Sequence, residues 1–300
     1  MTSTFTAEPS PLSVRVDGRT ISGLDWGGGG PALVLLHANG FCAGVYDPIA
    51  RRLAGAFRPI GVDLAGHGRS DPPADATRYS HAALAGDVAA FLEAVGVERA
   101  YVVGASLGGG VAIWLNALRP GLVVSALLAE AVAFEDRHPN SGVVSYAEQA
   151  RRRRAEWPSR QAIIDSYGPR PPFDTFDPET LAAYVRFGTV ELRDGSVRLA
   201  CEPETEAAYY DRAMTLEGGP GSWSQLDKLR GRATIVCGTY SQMAMTRFQQ
   251  QAERVGSEAV ALEANHLLLY EDTTRAVALI ETYLVGHDEP AEGAGSAGSL

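Results

Sequence analysis

The sequence predicts an α/β protein built on a mostly parallel sheet, and three observations lead there. Short apolar runs of strand length alternate with longer segments whose apolar residues recur at helical spacing. The alternation is interrupted once, between about residues 134 and 229, by amphipathic helical patterns with no strand pattern among them. Finally, Gly104-Ala105-Ser106-Leu107-Gly108 lies where Tyr101-Val102-Val103 gives way to Leu107, Val111, Trp114, Leu115 and Leu118. A strand there turns abruptly into a helix, with a serine at the corner.

Taken in order, the apolar runs fall at 14–16, 21–26, 32–36, 59–62, 100–103, 124–128, 234–236 and 259–262. Helical patterns at 45–53, 80–95, 107–118, 243–255 and 272–284 separate most of them. The first two runs have turn-like connections, which suits a hairpin edge. The remainder suits βαβ units with right-handed crossovers. Residues 1–11, rich in Thr, Ser and Pro, are expected to be loose, and 288–300, with Gly-Ala-Gly-Ser-Ala-Gly-Ser, reads as a disordered tail. Between them lie a core of 12–133 and 230–287 and an insertion of 134–229. Helices are expected in the insertion at 146–157, 160–167, 178–191 and 203–214. An insertion of this size between two sheet strands is a cap over a site or a small separate domain.

Composition narrows the function classes. The 26 basic and 36 acidic residues leave a net charge of −10, which argues against nucleic-acid and anionic-membrane partners. Arg151-Arg152-Arg153-Arg154 is the local exception and reads as a solvated helix face, with anion binding as the lesser alternative. Three widely spaced cysteines suggest neither a disulfide framework nor a zinc site, and no metal or cofactor is expected. With no signal-peptide pattern and no apolar run of membrane-spanning length, the expectation is a soluble cytoplasmic protein.

The serine at the corner points to chemistry. A hydroxyl is a weak nucleophile until a base takes its proton and a third group orients that base. His266, after the last apolar run and before the final helix, is placed to reach the sheet edge where Ser106 sits. His37 more naturally braces the loop after the third run. For the orienting carboxylate, Leu127-Leu128-Ala129-Glu130 sets a glutamate straight after a buried strand, beside the corner; Asp211 and Asp227 in the insertion are its rivals. An oxyanion needs two backbone donors. Leu107 N–H supplies one, and Asn39 in His37-Ala38-Asn39-Gly40-Phe41 is the candidate for the other, with Gly40 and Phe41 as neighbours in contention. Among the aromatics, Phe41, Trp157 and Tyr184 are candidates to line an apolar substrate pocket.

Together these pieces resemble the α/β-hydrolase superfamily over nearly the whole chain. The motifs are His37-Ala-Asn-Gly, Asp63-Leu-Ala-Gly-His-Gly-Arg-Ser70, the nucleophile elbow at Ser106, and His266. The resemblance implies an eight-stranded, mostly parallel sheet with a helical cap inserted after strand six, and the chain order nucleophile, acid, histidine. It also implies an acid in the loop after strand seven, where this chain has Ser241 and no carboxylate between Cys237 and Gln242. Some branches, among them one group of haloalkane dehalogenases and hydrolases resembling the fungal zearalenone lactonases, carry a glutamate after strand six instead. Glu130, 24 residues after Ser106, is consistent with those. Dehalogenases and epoxide hydrolases need an aspartate nucleophile, so the serine at 106 excludes both activities.

The expected activity is that of a serine hydrolase cleaving a carboxylic ester or lactone of a small, apolar molecule through an acyl-enzyme. A thioesterase or a C–C bond hydrolase on the same fold, or a non-catalytic hydrolase-like ligand-binding protein, are the alternatives.

Overall fold

The computed structural model describes residues 8–73, 75–135 and 145–285. Its first two strands, β1 (Ser10–Val16) and β2 (Arg19–Asp25), form an antiparallel hairpin. Asp17 and Gly18 both have positive φ at its tip, the backbone that matches a two-residue turn to the twist of its strands. Next come β3 (Ala32–Leu36), α1 (Asp47–Leu53), β4 (Arg58–Val62), α2 (His81–Ala94), β5 (Ala100–Ala105), α3 (Leu107–Leu118) and β6 (Val123–Ala129). The insertion contributes α4 (Tyr146–Arg151), β7 (Glu156–Trp157), α5 (Arg160–Tyr167), α6 (Pro178–Phe187), β8 (Thr189–Glu191), β9 (Val197–Leu199), α7 (Pro203–Arg212) and α8 (Gly219–Trp223). The chain returns to the sheet with β10 (Ala233–Gly238), α9 (Met245–Val255), β11 (Val260–Leu262), α10 (Leu268–Glu271) and α11 (Thr273–Val285).

Eight strands form one sheet in the order β1-β2-β4-β3-β5-β6-β10-β11. The β1–β2 and β2–β4 pairs are antiparallel and the other five are parallel. Central strands are covered on both faces, which is why they read as continuous apolar runs. Alternate residues feed two cores: Val34, Leu36 and Val102 meet α2, α3 and α9, while Leu33, Leu35 and Val103 meet α1 and α11.

The structure departs from the sequence expectation at several places. Ser10 and Pro11, expected to be loose, are paired with Asp25 and Leu24, so the ordered chain begins earlier; residues 1–7 and the expected tail 288–300 lie outside the described residues. The insertion is not purely helical, because β7, β9 and β8 form a small antiparallel sheet. The expected helix 146–157 stops at Arg151 and 178–191 stops at Phe187, each giving way to one of these strands. Strands of two or three residues are too short to show a period. The usable signal was Asp194-Gly195, with Gly195 at φ 83° in the tight connection between β8 and β9. Finally, α8 and the turn Leu226–Leu229 pack on α2, α3 and α9, and Asn116 Nδ2 donates to the Lys228 carbonyl at 3.0 Å. That segment belongs to the core layer, so the cap is shorter than 134–229.

Candidate active site

Ser106 sits at φ 52°, ψ −111°, between the end of β5 and the first residue of α3. This conformation persists because the neighbouring backbones are forced together. A Cβ on Gly104 would come within 2.6 Å of the Gly108 carbonyl oxygen, and one on Gly108 within 2.1 Å of that of Leu36. Only glycine lets strand and helix approach this closely, and the serine is left at the sheet edge.

His266 enters from the loop between β11 and α10. Its Nε2 lies 3.0 Å from Ser106 Oγ, and its Nδ1 lies 2.6 Å from Glu130 Oε2. The loop is braced by Glu271, whose carboxylate accepts the Asn265 N–H at 3.0 Å. It also crosses so close to β10 that a Cβ on Gly238 would stand 2.3 Å from the Ala264 carbonyl oxygen.

Glu130, at the end of β6, is fully buried and adopts φ 45°. Among the described residues, the positive-φ side-chain-bearing positions are Asp17, Ser106 and Glu130; two of the three therefore lie in this one cluster. Such backbone costs about 1–3 kcal/mol per residue and persists where surrounding contacts over-determine it. The contacts here are specific. Glu130 Oε1 accepts the Gly238 N–H at 2.7 Å, and Oε2 accepts the Ser241 hydroxyl at 2.6 Å in addition to meeting His266. Both oxygens of this buried carboxylate are thereby met by hydrogen-bonding partners.

The backbone donors of the 37–41 loop are nearly all committed. Ala38 N–H donates to the Tyr270 hydroxyl at 3.2 Å, Gly40 N–H to His67 Nε2 at 3.1 Å, and Phe41 N–H to the Ala38 carbonyl at 3.2 Å. Asn39 N–H has no partner among the described residues, and neither does Leu107 N–H at the start of α3. Leu107 and Asn39 are the sequence's first candidates for oxyanion donors, and the N–H groups of Gly40 and Phe41, the others in contention, are bonded elsewhere.

Two buried histidines shape this loop. His37 Nε2 accepts the Leu64 N–H at 3.0 Å, and its Nδ1 meets the Ala38 carbonyl at 2.8 Å. His67 packs beside it with ring centroids 4.9 Å apart. Burial pushes both imidazoles down, His67 to about 4 and His37 well below its usual value, so each stays neutral and keeps an acceptor nitrogen for a backbone amide.

The pocket candidates part company. Phe41 lies in an aromatic cluster with Phe173, Phe176, Tyr184 and Tyr270 between the loop and the cap. The Tyr184 hydroxyl is tied to the Gly40 carbonyl at 3.3 Å. Trp157 packs on Tyr167 and Arg154 and donates its indole N–H to the Arg154 carbonyl at 2.9 Å, contacts that lie within the cap. The rival acids are occupied elsewhere, Asp211 with Arg151 and Asp227 with Arg254. Ser241, at the place where the superfamily pattern has its acid, donates its hydroxyl to Glu130 Oε2, a role that its sequence position does not signal. The arginine run is not a uniformly solvated face, because the guanidinium of Arg153 turns inward to pair with Glu206 while Arg151 stays at the surface. Nothing in the four arginines distinguishes that one by sequence. Among the described residues no cluster of His, Cys, Asp and Glu is arranged to hold a metal ion, and no helix is long and apolar enough to cross a membrane.

Residues 31–211 match the alpha/beta hydrolase fold family. The chain is 31% identical to Esterase Rv0045c of Mycobacterium tuberculosis, over 77% of this chain and 73% of that one. It is also 31% identical to 3-oxoadipate enol-lactonase 1 of Acinetobacter baylyi, over 34% of this chain and 38% of that one. The solved structure of the enol-lactonase from Burkholderia xenovorans superposes with a TM-score of 0.68 at 20% identity, covering 91% of this chain and 100% of that one. The chain belongs to the alpha/beta hydrolase fold family and resembles its esterases and lactonases.

Proposed function

We propose that this protein is a serine hydrolase of carboxylic esters or lactones, with Ser106 as nucleophile, His266 as general base and Glu130 as the carboxylate that orients it. The observation that carries the reading is the unbroken run Ser106 Oγ, His266 Nε2 at 3.0 Å, His266 Nδ1, Glu130 Oε2 at 2.6 Å. A hydrogen-bonded nucleophile and base, with the base held by a buried acid, is the arrangement that acyl transfer requires.

The steps follow from the atoms. Ser106 Oγ attacks the acyl carbon as His266 Nε2 takes its proton, and Glu130 stabilises the imidazolium through Nδ1. The Asn39 and Leu107 amides receive the oxyanion. His266 then returns the proton to the departing alkoxide, leaving an acyl group on Ser106. For a lactone the alkoxide stays tethered to that acyl group. Water, deprotonated by the same imidazole, attacks the acyl-enzyme, and collapse of the second intermediate regenerates the serine.

The substrate class draws support from the curated relatives, an esterase and an enol-lactonase by name. The aromatic cluster around Phe41 favours an apolar portion beside the scissile bond. The test is fluorophosphonate labelling of wild type and Ser106→Ala, followed by turnover of p-nitrophenyl esters, lactones and acyl thioesters. Labelling of wild type alone, with ester or lactone turnover, is the expected result. An unlabelled wild-type protein overturns the reading, and turnover confined to thioesters moves the substrate class.

A further inference from the structure

Arg153 is a basic group beside the site that the proposed chemistry does not use. Its guanidinium is largely buried and pairs with the carboxylate of Glu206 on α7, with side-chain exposures of 19% and 8%. Its other end donates to the Tyr184 hydroxyl at 2.9 Å and the Tyr167 hydroxyl at 3.2 Å. Three cap helices, α5, α6 and α7, therefore meet at one cation.

A buried ion pair is a poor stabiliser, since desolvating both charges offsets most of their attraction. What distinguishes this one is what lies beneath it. The Asn39 side chain donates from Nδ2 to the main-chain carbonyl of Glu206 at 2.9 Å, so the ion pair reaches Asn39 by holding that turn of α7 in place, and the Tyr184 hydroxyl, already holding Arg153, donates to the Gly40 carbonyl. Gly40 has φ 80°, and a Cβ on it would come within 2.8 Å of the Glu206 carboxyl carbon. The loop is moulded against the ion pair. These contacts hold residues 39 and 40, and the Asn39 N–H, in the adjoining Ala38–Asn39 peptide, has no partner among the described residues and is free for an oxyanion.

We infer that Arg153 and Glu206 are positioning residues: through Asn39 and Tyr184 they lock the oxyanion loop to the cap, so that the second oxyanion donor is aligned only while the cap is seated. This rests on the hydrolase reading above. Neither residue touches a reacting atom. Their effect is on the geometry of an amide whose value depends on sub-ångström placement.

The test is R153M/E206M, which replaces the pair with apolar side chains of similar length and leaves no unpaired charge behind. The readouts are the thermal midpoint, kcat and KM for the best ester, and inhibition by a trifluoromethyl ketone that forms a hemiketal oxyanion on Ser106. The expected result is a wild-type-like midpoint, kcat lower by about 10–100-fold, and ketone affinity lower in step with it. KM stays within about threefold, because the lost interaction belongs to the transition state. Wild-type kcat and ketone affinity in the folded double variant overturn the proposal, since a merely structural pair would be replaceable. If R153M/E206M does not fold, Tyr184→Phe removes a single hydroxyl and is read the same way. A loss of about 3–10-fold in kcat, matched in ketone affinity, supports the proposal, and no change overturns it. A wild-type protein that is neither labelled by fluorophosphonate nor active sinks the hydrolase reading and this proposal together. Normal wild-type turnover matched by R153M/E206M sinks this one alone.

Discussion

Ser241 Oγ donates to Glu130 Oε2 at 2.6 Å, the same oxygen that meets His266 Nδ1 at 2.6 Å. One carboxylate oxygen thus takes a hydroxyl from the β10 loop and the imidazole that must be held against Ser106. The hydroxyl fixes where that oxygen lies without competing for the proton of Nδ1. Ser241→Ala removes one of the donors on the carboxylate and leaves the Gly238 N–H in place. A hydrogen bond to a charged group is worth about 1.5–3 kcal/mol, and part of that is recovered by relaxation. We expect kcat to fall about tenfold with KM nearly unchanged, measured on the same ester as wild type. Full activity in S241A would show that the hydroxyl is a bystander.

Glu130→Gln tests the carboxylate itself. The amide must present its N–H₂ either to Gly238 N–H or to the Ser241 and His266 donors, so at least one donor faces another donor. Relief comes by shifting the His266 proton to Nε2, the tautomer that cannot accept from Ser106. The expected outcome is a folded protein whose kcat is lower by roughly 10³–10⁴. Near-normal turnover in E130Q would remove Glu130 from the chemistry.

How far the sequence anticipates this site depends on the kind of signal each residue leaves. Ser106 was legible because an elbow needs glycines at fixed offsets and a strand-to-helix change of period, both local. His266 and Glu130 were legible from their place just after apolar strands, which the parallel sheet turns into a shared edge. The central strands β3, β5, β6 and β10 are legible because they are buried on both faces and are therefore predominantly apolar. Arg153 and Glu206 were not legible. Their partnership spans the cap and depends on how α4 and α7 lean together, and a charged residue pointing inward looks in sequence like one pointing out. The cap strands are illegible for a different reason, since the three residues of Thr189–Glu191 or Val197–Leu199 are too few to establish a repeated alternation.

Gly238→Ala separates stability from activity at the histidine loop. The added methyl would stand 2.3 Å from the Ala264 carbonyl oxygen and 2.6 Å from that of Asn265, both backbone atoms that cannot turn aside. The 264–266 segment must lift, carrying His266 with it. A displacement near 1 Å at a catalytic group costs about 10²-fold in rate. We expect kcat to fall by about that factor while the protein keeps a cooperative thermal transition. Retained activity would mean that the loop is held from the α10 side, by Glu271 and Asn265.

Acid should destabilise the fold well before the carboxylates as a class are protonated, and buried histidines are the reason. His67 and His81 are held down at about 4 by burial, against an ordinary value of 6.5, and His37 lies well below that value for the same reason. Between about pH 6.5 and 4 the unfolded chain binds protons at these three positions that the folded chain refuses. Their stabilisation is present above 6.5 and is lost as pH falls through that window. Asp63 acts in the opposite sense. Buried, and accepting the Ala43 and Arg69 amides at 2.7 and 3.0 Å, it is raised to about 6 from 3.8, so the folded state binds its proton first and gains as pH falls. Three groups outweigh one, and each proton of difference contributes ~1.4 kcal/mol per pH unit. Thermal midpoints at pH 7.5, 6 and 5 should fall steadily, most steeply between 6 and 5. A midpoint that holds level down to pH 5 would mean that His37, His67 and His81 take up protons in place, and that the amides of Leu64 and Gly40 are held by something other than a neutral ring.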